Sequence, residues 1–247
     1  MLFDGDAIVL AGGTGRVGKA TLAALVREGA RVLVLSRSLE SARTAIDAVL
    51  DGDERAAAIP FVADLNAPEQ AAAAIAGCVE RFGRIDAAVS LAGDARTSRL
   101  VESTLDDLRH NLAAFAETAY NFSIPALRAM LAQPYRDGAR SRGRIVVVTA
   151  GSSRDPAPGR GLFGAAKAAV NILMRAIARE HKADGIVANA VVLGGVQTPE
   201  TRPYYSEDDF KAAATPQEVA DVLAFLASDR GTGINGELVD LNARETD

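Results

Sequence analysis

Cysteine occurs once in this chain, as Cys78, and tryptophan not at all. A single thiol excludes an internal disulfide, and a buried packing role is the simplest expectation for it. Histidine is nearly as scarce, with only His110 and His181. So few thiols and imidazoles supply no Cys/His cluster, and no metal site is expected. Positive charge is not in excess: 27 basic residues face 32 acidic ones, for a net charge of −5. Nucleic acid or an anionic membrane surface calls for a basic patch, so neither is expected as a partner. No continuous apolar run approaches the ~18 residues that a membrane span needs. The opening Met1-Leu-Phe-Asp-Gly-Asp6 is acidic and too short in apolar length for a signal peptide. A soluble, cytoplasmic protein is the expectation. Lysine is also rare, standing only at Lys19, Lys167, Lys182 and Lys211.

What is present reads as one large α/β domain. Hydrophobic residues make up 49% of the 247, enough for a sizeable core. The run Ala7-Ile-Val-Leu-Ala11 reads as a buried strand, broken at Gly12-Gly13 and followed at once by a helical pattern. Gly12, Gly15 and Gly18 sit at spacing three on that joint. Glycine there lets the chain turn tightly and approach a ligand, and the next helix presents free N–H groups suited to a pyrophosphate. The bland alternative is a set of turn residues that pack helix on strand.

The same alternation continues along the chain. Strands are expected at Arg31–Leu35, Ala56–Val62, Ala87–Leu91, Ile145–Thr149, Ile186–Leu193 and Glu237–Leu241. Helices are expected at Leu39–Leu50, Pro68–Phe82, two within 104–132, Leu162–His181 and Pro216–Ala227, with an irregular stretch from Leu193 to about Tyr205. Strands alternating with helices imply right-handed crossovers and a parallel sheet covered on both faces. The fold expected is a single doubly wound Rossmann domain over 1–247, with about seven strands. Ligands of such folds sit beyond the carboxyl ends of the strands. That rule selects Gly12–Gly18, Ser36–Ser38, Asp64, Ala92-Gly93, Thr149–Ser153 and Gly194–Thr198.

The exit of the second strand speaks to the cofactor. An acid there holds the ribose 2′-hydroxyl in NAD sites, whereas arginine accommodates the 2′-phosphate of NADP. Here it reads Leu35-Ser-Arg-Ser-Leu39, with Ser36 and Arg37 and no acid. Arg16 in the glycine turn offers a second positive charge. NADP is therefore the expected cofactor, with a small molecule as substrate.

By these residues the chain resembles the short-chain dehydrogenase/reductase family over nearly its whole length. The resemblance rests on the glycine turn (Gly12, Thr14, Gly15, Arg16, Val17, Gly18), on Asp64-Leu65, and on Ser90-Leu-Ala-Gly93. It also rests on Asn189-Ala-Val-Val-Leu-Gly-Gly-Val-Gln-Thr198. It implies cofactor contacts at Asp64, Leu65, Ala92, Gly93, Gly194, Val196 and Thr198. The family works with Asn, Ser, Tyr and Lys, the last two spaced Tyr-x-x-x-Lys on one helical face. Lys167 matches the lysine, which holds the nicotinamide ribose, and Asn111 matches the asparagine. Phe163 stands where the tyrosine falls and Ala150 where the serine falls. Ser152, two places further on, is the candidate replacement hydroxyl.

Three readings stay open. Hydride could pass to a carbon that needs no acid from position 163, such as an iminium-like one, or an acid could come from Ser152, Asp155, His110 or Tyr204. The chain could instead hold the cofactor silently, as a sensor or partner subunit. It could also be a lyase or isomerase. The family's four-helix contact, matched by 111–131 and 162–181, implies a homodimer or homotetramer.

Overall fold

Runs that are apolar throughout can be buried on both sides, and in this computed structural model, described over residues 1–241, they are. Strand β1 (Ala7–Ala11) leads into α1 (Arg16–Arg27), then β2 (Arg31–Ser36), α2 (Leu39–Asp47), β3 (Ala58–Val62), α3 (Pro68–Phe82) and β4 (Ala87–Ser90). The second half comprises α4 (Leu105–Asn111), a π-helical segment (Leu112–Glu117), α5 (Thr118–Ala132), β5 (Gly143–Ala150) and α6 (Gly161–Glu180). It ends with β6 (Ile186–Leu193), α7 (Glu207–Ala212), α8 (Pro216–Ala227) and β7 (Leu238–Leu241). The seven strands pair in parallel in the order β3-β2-β1-β4-β5-β6-β7.

Two cores flank the sheet. On one face Ala71 and Ile75 of α3, Phe122 and Met130 of α5 and Val170 and Met174 of α6 pack together. On the other lie Leu22 and Leu25 of α1, Ile46 of α2 and Val219 and Leu223 of α8. Helix starts are chemically marked. Ser38 Oγ accepts from Ser41 N to begin α2, and Thr104/Asp107 and Thr215/Glu218 form capping boxes for α4 and α8. Helix α6, with a mean hydropathy of 1.3 over its most apolar stretch, is apolar and long enough to resemble a membrane span. Its apolar side is spent on the sheet through Val170, Met174 and Ile177. Cys78 is fully buried, and that burial pushes its thiol up to about 12.

The end of the sheet opposite the glycine turn carries buried charge. Arg144 donates to Asp6 at 2.8 Å and reaches Asp229 at 3.4 Å, while Arg136 meets Asp6 at 2.6 Å. Asp86 accepts from Ala7 N at 2.9 Å and from Arg84 Nε at 2.7 Å. These pairs tie the first residues of β1, β4 and β5 together.

Several expected boundaries are corrected. Residues 105–132 form one continuous helical run instead of two helices, because the π segment joins α4 to α5 without a break. Strand β3 begins at Ala58, not Ala56, since Gly52–Ala57 is a 3₁₀ turn, and α2 ends at Asp47, not Leu50. Strand β5 extends to Gly143 and Ala150, β4 stops at Ser90, and β7 begins at Leu238. The stretch expected to be irregular is followed by α7, begun by Ser206, whose Oγ accepts from Asp209 N at 3.1 Å. Phe122 shows how tightly the core is filled. We expect Phe122→Ala to lower the unfolding free energy by about 3–5 kcal/mol, read as a shifted urea midpoint with unchanged slope.

Candidate active site

Strand order reverses between β1 and β4, so their carboxyl ends diverge and leave a crevice. Gly12 ends β1 with φ +80°, and a Cβ there would meet the Leu91 carbonyl carbon at 2.8 Å. A Cβ on Gly18 would lie 2.0 Å from the Gly12 oxygen. Only bare backbone permits this approach, which brings the start of α1 over the crevice. A cleft of about 550 Å³ opens there, lined by Gly12, Thr14 and Gly15 and by Ser36, Arg37 and Ser38. Asp64, Leu65, Ala92 and Gly93 close its far side.

The cleft's residues fit a dinucleotide phosphate ester. Arg37 is exposed between two serines and, among the described residues, forms no ion pair. Ser38 N donates to Ser36 Oγ at 3.2 Å, which holds the turn in which Arg37 is presented. Asp64 Oδ1 accepts from Asn66 N and Nδ2 at 3.0 and 3.1 Å, and the Leu65 carbonyl accepts from Asn121 Nδ2 at 2.9 Å. These bonds shape the wall on the β3 side.

An adjoining hollow of about 540 Å³ shares Gly12, Thr14 and Gly15 and adds Arg16, Val17, Gly18, Lys19, Thr198 and Glu200. Arg16 does not reach toward Arg37. Its Nε donates to both Glu200 carboxylate oxygens, at 2.8 and 2.9 Å. Val196 bridges to Ala214, Gly194 N donates to the Leu241 carbonyl, and Thr198 sits in a turn closed by Thr201.

The catalytic candidates gather on α6 and the elements around it. Lys167 is buried, and its Nζ donates to the Val148 carbonyl at 2.8 Å. Val148 lies beyond the last β4 pairing, Ser90 with Val147. The ammonium also lies 4.3 Å from the Phe115 ring centroid, a cation–π contact. Phe163, one turn earlier on α6, meets Phe115 edge to face, with centroids 5.1 Å apart and planes at 69°. Phe115 comes from the π segment and presses on Gly93, where a Cβ would fall 2.0 Å from its ring. The lysine therefore has an aromatic and a carbonyl for neighbours, with no carboxylate to offset its desolvation. Burial pulls its pKa from 10.5 down to about 7.

Asn111 is wholly buried. Its Nδ2 donates to the Arg96 and Asp107 carbonyls at 3.0 and 2.9 Å, and its Oδ1 accepts from Arg96 N at 3.3 Å. The side chain is thus engaged in clamping the segment after Gly93. Ala150 ends β5, and Ser152 follows in a 3₁₀ turn whose carbonyl lies against Gly164 of α6. Beside it Ser153 Oγ accepts from Asn171 Nδ2 at 2.7 Å. Asn171 stands one turn past Lys167.

Other expectations sort by geometry. His110 Nε2 lies 3.1 Å from the Asp94 carbonyl, at the edge of the crevice. Arg154 binds Asp240 at 2.6 Å and the Leu238 carbonyl, which pins β7. Tyr204 is exposed, whereas Tyr205 packs on Gly195. Phe115, Glu200 and Asn171 were not anticipated. Phe115 carried one signal, its position four residues after Asn111 on the same helical run.

Lys167 yields a signed prediction. The unfolded chain keeps the lysine proton up to about 10.5, while the folded protein releases it near 7. The unfolded state binds more protons between those values, so stability from this group rises with pH across that window. Replacing Lys167 with Met should stabilise the protein at pH 7 by on the order of a few kcal/mol, and the gap should close toward pH 10. Urea titrations of both proteins at several pH values test this. Parallel stability curves would refute it.

The comparisons with known proteins agree with this fold. A family model described as enoyl-(acyl carrier protein) reductase matches residues 14–243. The oxidoreductase UcpA of Escherichia coli K12 is 28% identical, over 94% of this chain and 91% of its own length. Meso-2,3-butanediol dehydrogenase of Serratia marcescens is 30% identical, over 100% of this chain and 96% of its own. A solved structure of ElxO with NADP bound superimposes with a TM-score of 0.86 at 24% identity, covering 96% of this chain and 97% of that one. It shares the fold. With its parallel seven-stranded sheet and glycine-lined switch point, the chain belongs to the short-chain dehydrogenase/reductase family of oxidoreductases.

Proposed function

We propose that this protein binds NADP(H) and passes hydride to a small substrate whose reacting carbon needs no proton from position 163. The observation that carries the reading is the make-up of α6 and its neighbours: Lys167 is kept and buried, while a phenylalanine stacks on Phe115 in the preceding turn. When bound, NADPH supplies the hydride. The chain's own residues do the rest. The glycine turn and the start of α1 receive the diphosphate, Arg37 takes the 2′-phosphate with its planar fork, and Lys167 holds the nicotinamide ribose. Phe163 has no proton to give, and losing a positioned acid costs about 10²–10⁴ in rate for a ketone, whose alkoxide must be protonated. An iminium-like carbon accepts hydride and becomes a neutral amine with no proton transferred, so it escapes that loss. For a small carbonyl the proton must come from water or from a nearby hydroxyl such as Ser152. The NADP-bound ElxO neighbour supports the choice of cofactor.

One observation favours a second reading, a cofactor-binding protein without turnover. The Lys167 ammonium is already occupied by the Val148 carbonyl and the Phe115 face, so its ribose contact must compete with them. Absorbance assays with NADPH and cyclic iminium compounds separate the two: turnover supports hydride transfer, and none across the series supports silent binding. For the cofactor, fluorescence titration should show NADPH binding more tightly than NADH. Arg37→Asp should cost NADPH about tenfold or more in affinity and leave NADH little changed. Equal affinities of the wild type for both would refute the assignment.

A further inference from the structure

The segment that lines the adjoining hollow through Thr198 and Glu200 is braced almost wholly within itself. Gln197 N donates to the Ala214 carbonyl and its Nε2 to the Lys211 and Ala213 carbonyls. Thr201 closes on Val196 and Thr198, Arg202 pairs with Glu207, and Tyr205 covers Gly195. Among the described residues, each hydrogen bond and ion pair made by residues 196–212 stays within 194–214, with one exception. That exception is Glu200, bonded across 184 positions of sequence to Arg16, the first residue of α1.

We propose that Glu200 is a built-in competitor for the cofactor's diphosphate. Its carboxylate holds Arg16 at the glycine turn until a dinucleotide displaces it, and the displacement frees the 196–212 flap. The proposal rests on the reading of the crevice as an NADP(H) site and adds a step to it. The first turn of α1 contains no acidic residue, and Gly15 offers no side-chain cap. The positive end of a twelve-residue helix and an arginine are therefore left for an anion supplied from elsewhere. Glu200 supplies one, with Thr198, Lys19 and the glycine turn lining the same hollow. The Arg16 hydrogen bond, its own backbone and Thr198 together hold its carboxyl below the usual range. A diphosphate brings more charge to the same arginine and can also reach the free N–H groups at the start of α1. The pair is also cheap to break, since its side chains are 53% and 65% exposed.

The flap carries Tyr204 and Tyr205, so release of Glu200 would let it move when the cofactor arrives.

Glu200→Gln and Glu200→Ala test this with NADPH as the probe. Both variants should bind NADPH about three- to fivefold more tightly than the wild type at low salt, with the difference fading at high salt. Without cofactor, amide exchange across 197–212 should be faster in both variants than in the wild type, and NADPH should speed it in the wild type. Weaker NADPH binding by the variants would overturn the proposal, because Glu200 would then act as a clamp over the bound cofactor. Equal binding by variants and wild type, or equal exchange without cofactor, would overturn it while leaving the NADP(H) reading intact. Failure of the wild type to bind NADPH at all would overturn both.

Discussion

The Gly12 carbonyl and the Gly18 Cα pass so closely that a methyl group between them would lie 2.0 Å from the oxygen. From this backbone contact the geometry of the functional end follows. It lets β1 turn into α1 within a few residues, and it aims the helix start at the diverging ends of β1 and β4. The β2 exit then falls beside it with Arg37, and the 196–212 segment crosses its far side with Glu200. The buried Arg144–Asp6 ion pair and the hydrogen bonds that Asp86 accepts from Ala7 and Arg144 fix the opposite end of the same strands. Rigidity below and a bare backbone above leave the chain's adaptable parts in its loops.

The surroundings of Lys167 are apolar. Phe115 and Phe163 make an apolar wall, and Lys167 sits against it with one carbonyl for a partner. An ammonium in that setting is held at a cost, which is why its proton is loosened to near neutrality. The π segment is central to this arrangement, since it is what delivers Phe115 to the gap between Gly93 and α6. The side chain of residue 163 brings no ionisable group to this cluster.

Much of the fold was legible because its signals are local. Continuous apolar runs marked the strands, glycine spacing marked the switch point, and the family spacing marked Lys167. What escaped was set by distant contacts. Nothing around Glu200 announces a partner in the glycine turn, and nothing around Arg154 announces Asp240, 86 positions away. The π segment has no composition of its own and arises where α4 and α5 continue through one another. Phe115 touches both Lys167 and Phe163, whereas the side chain of Asn111 is engaged in clamping the segment after Gly93.

The central claim is that hydride transfer here proceeds without an acid at residue 163. The most direct measurement compares the wild type with an Ala150→Ser, Phe163→Tyr double variant, both supplied with NADPH, on a set of simple ketones and on cyclic iminium compounds. If the claim holds, the double variant gains about 10² or more on ketones, while the iminium rate changes little. A wild type that reduces ketones as fast as the double variant would contradict it.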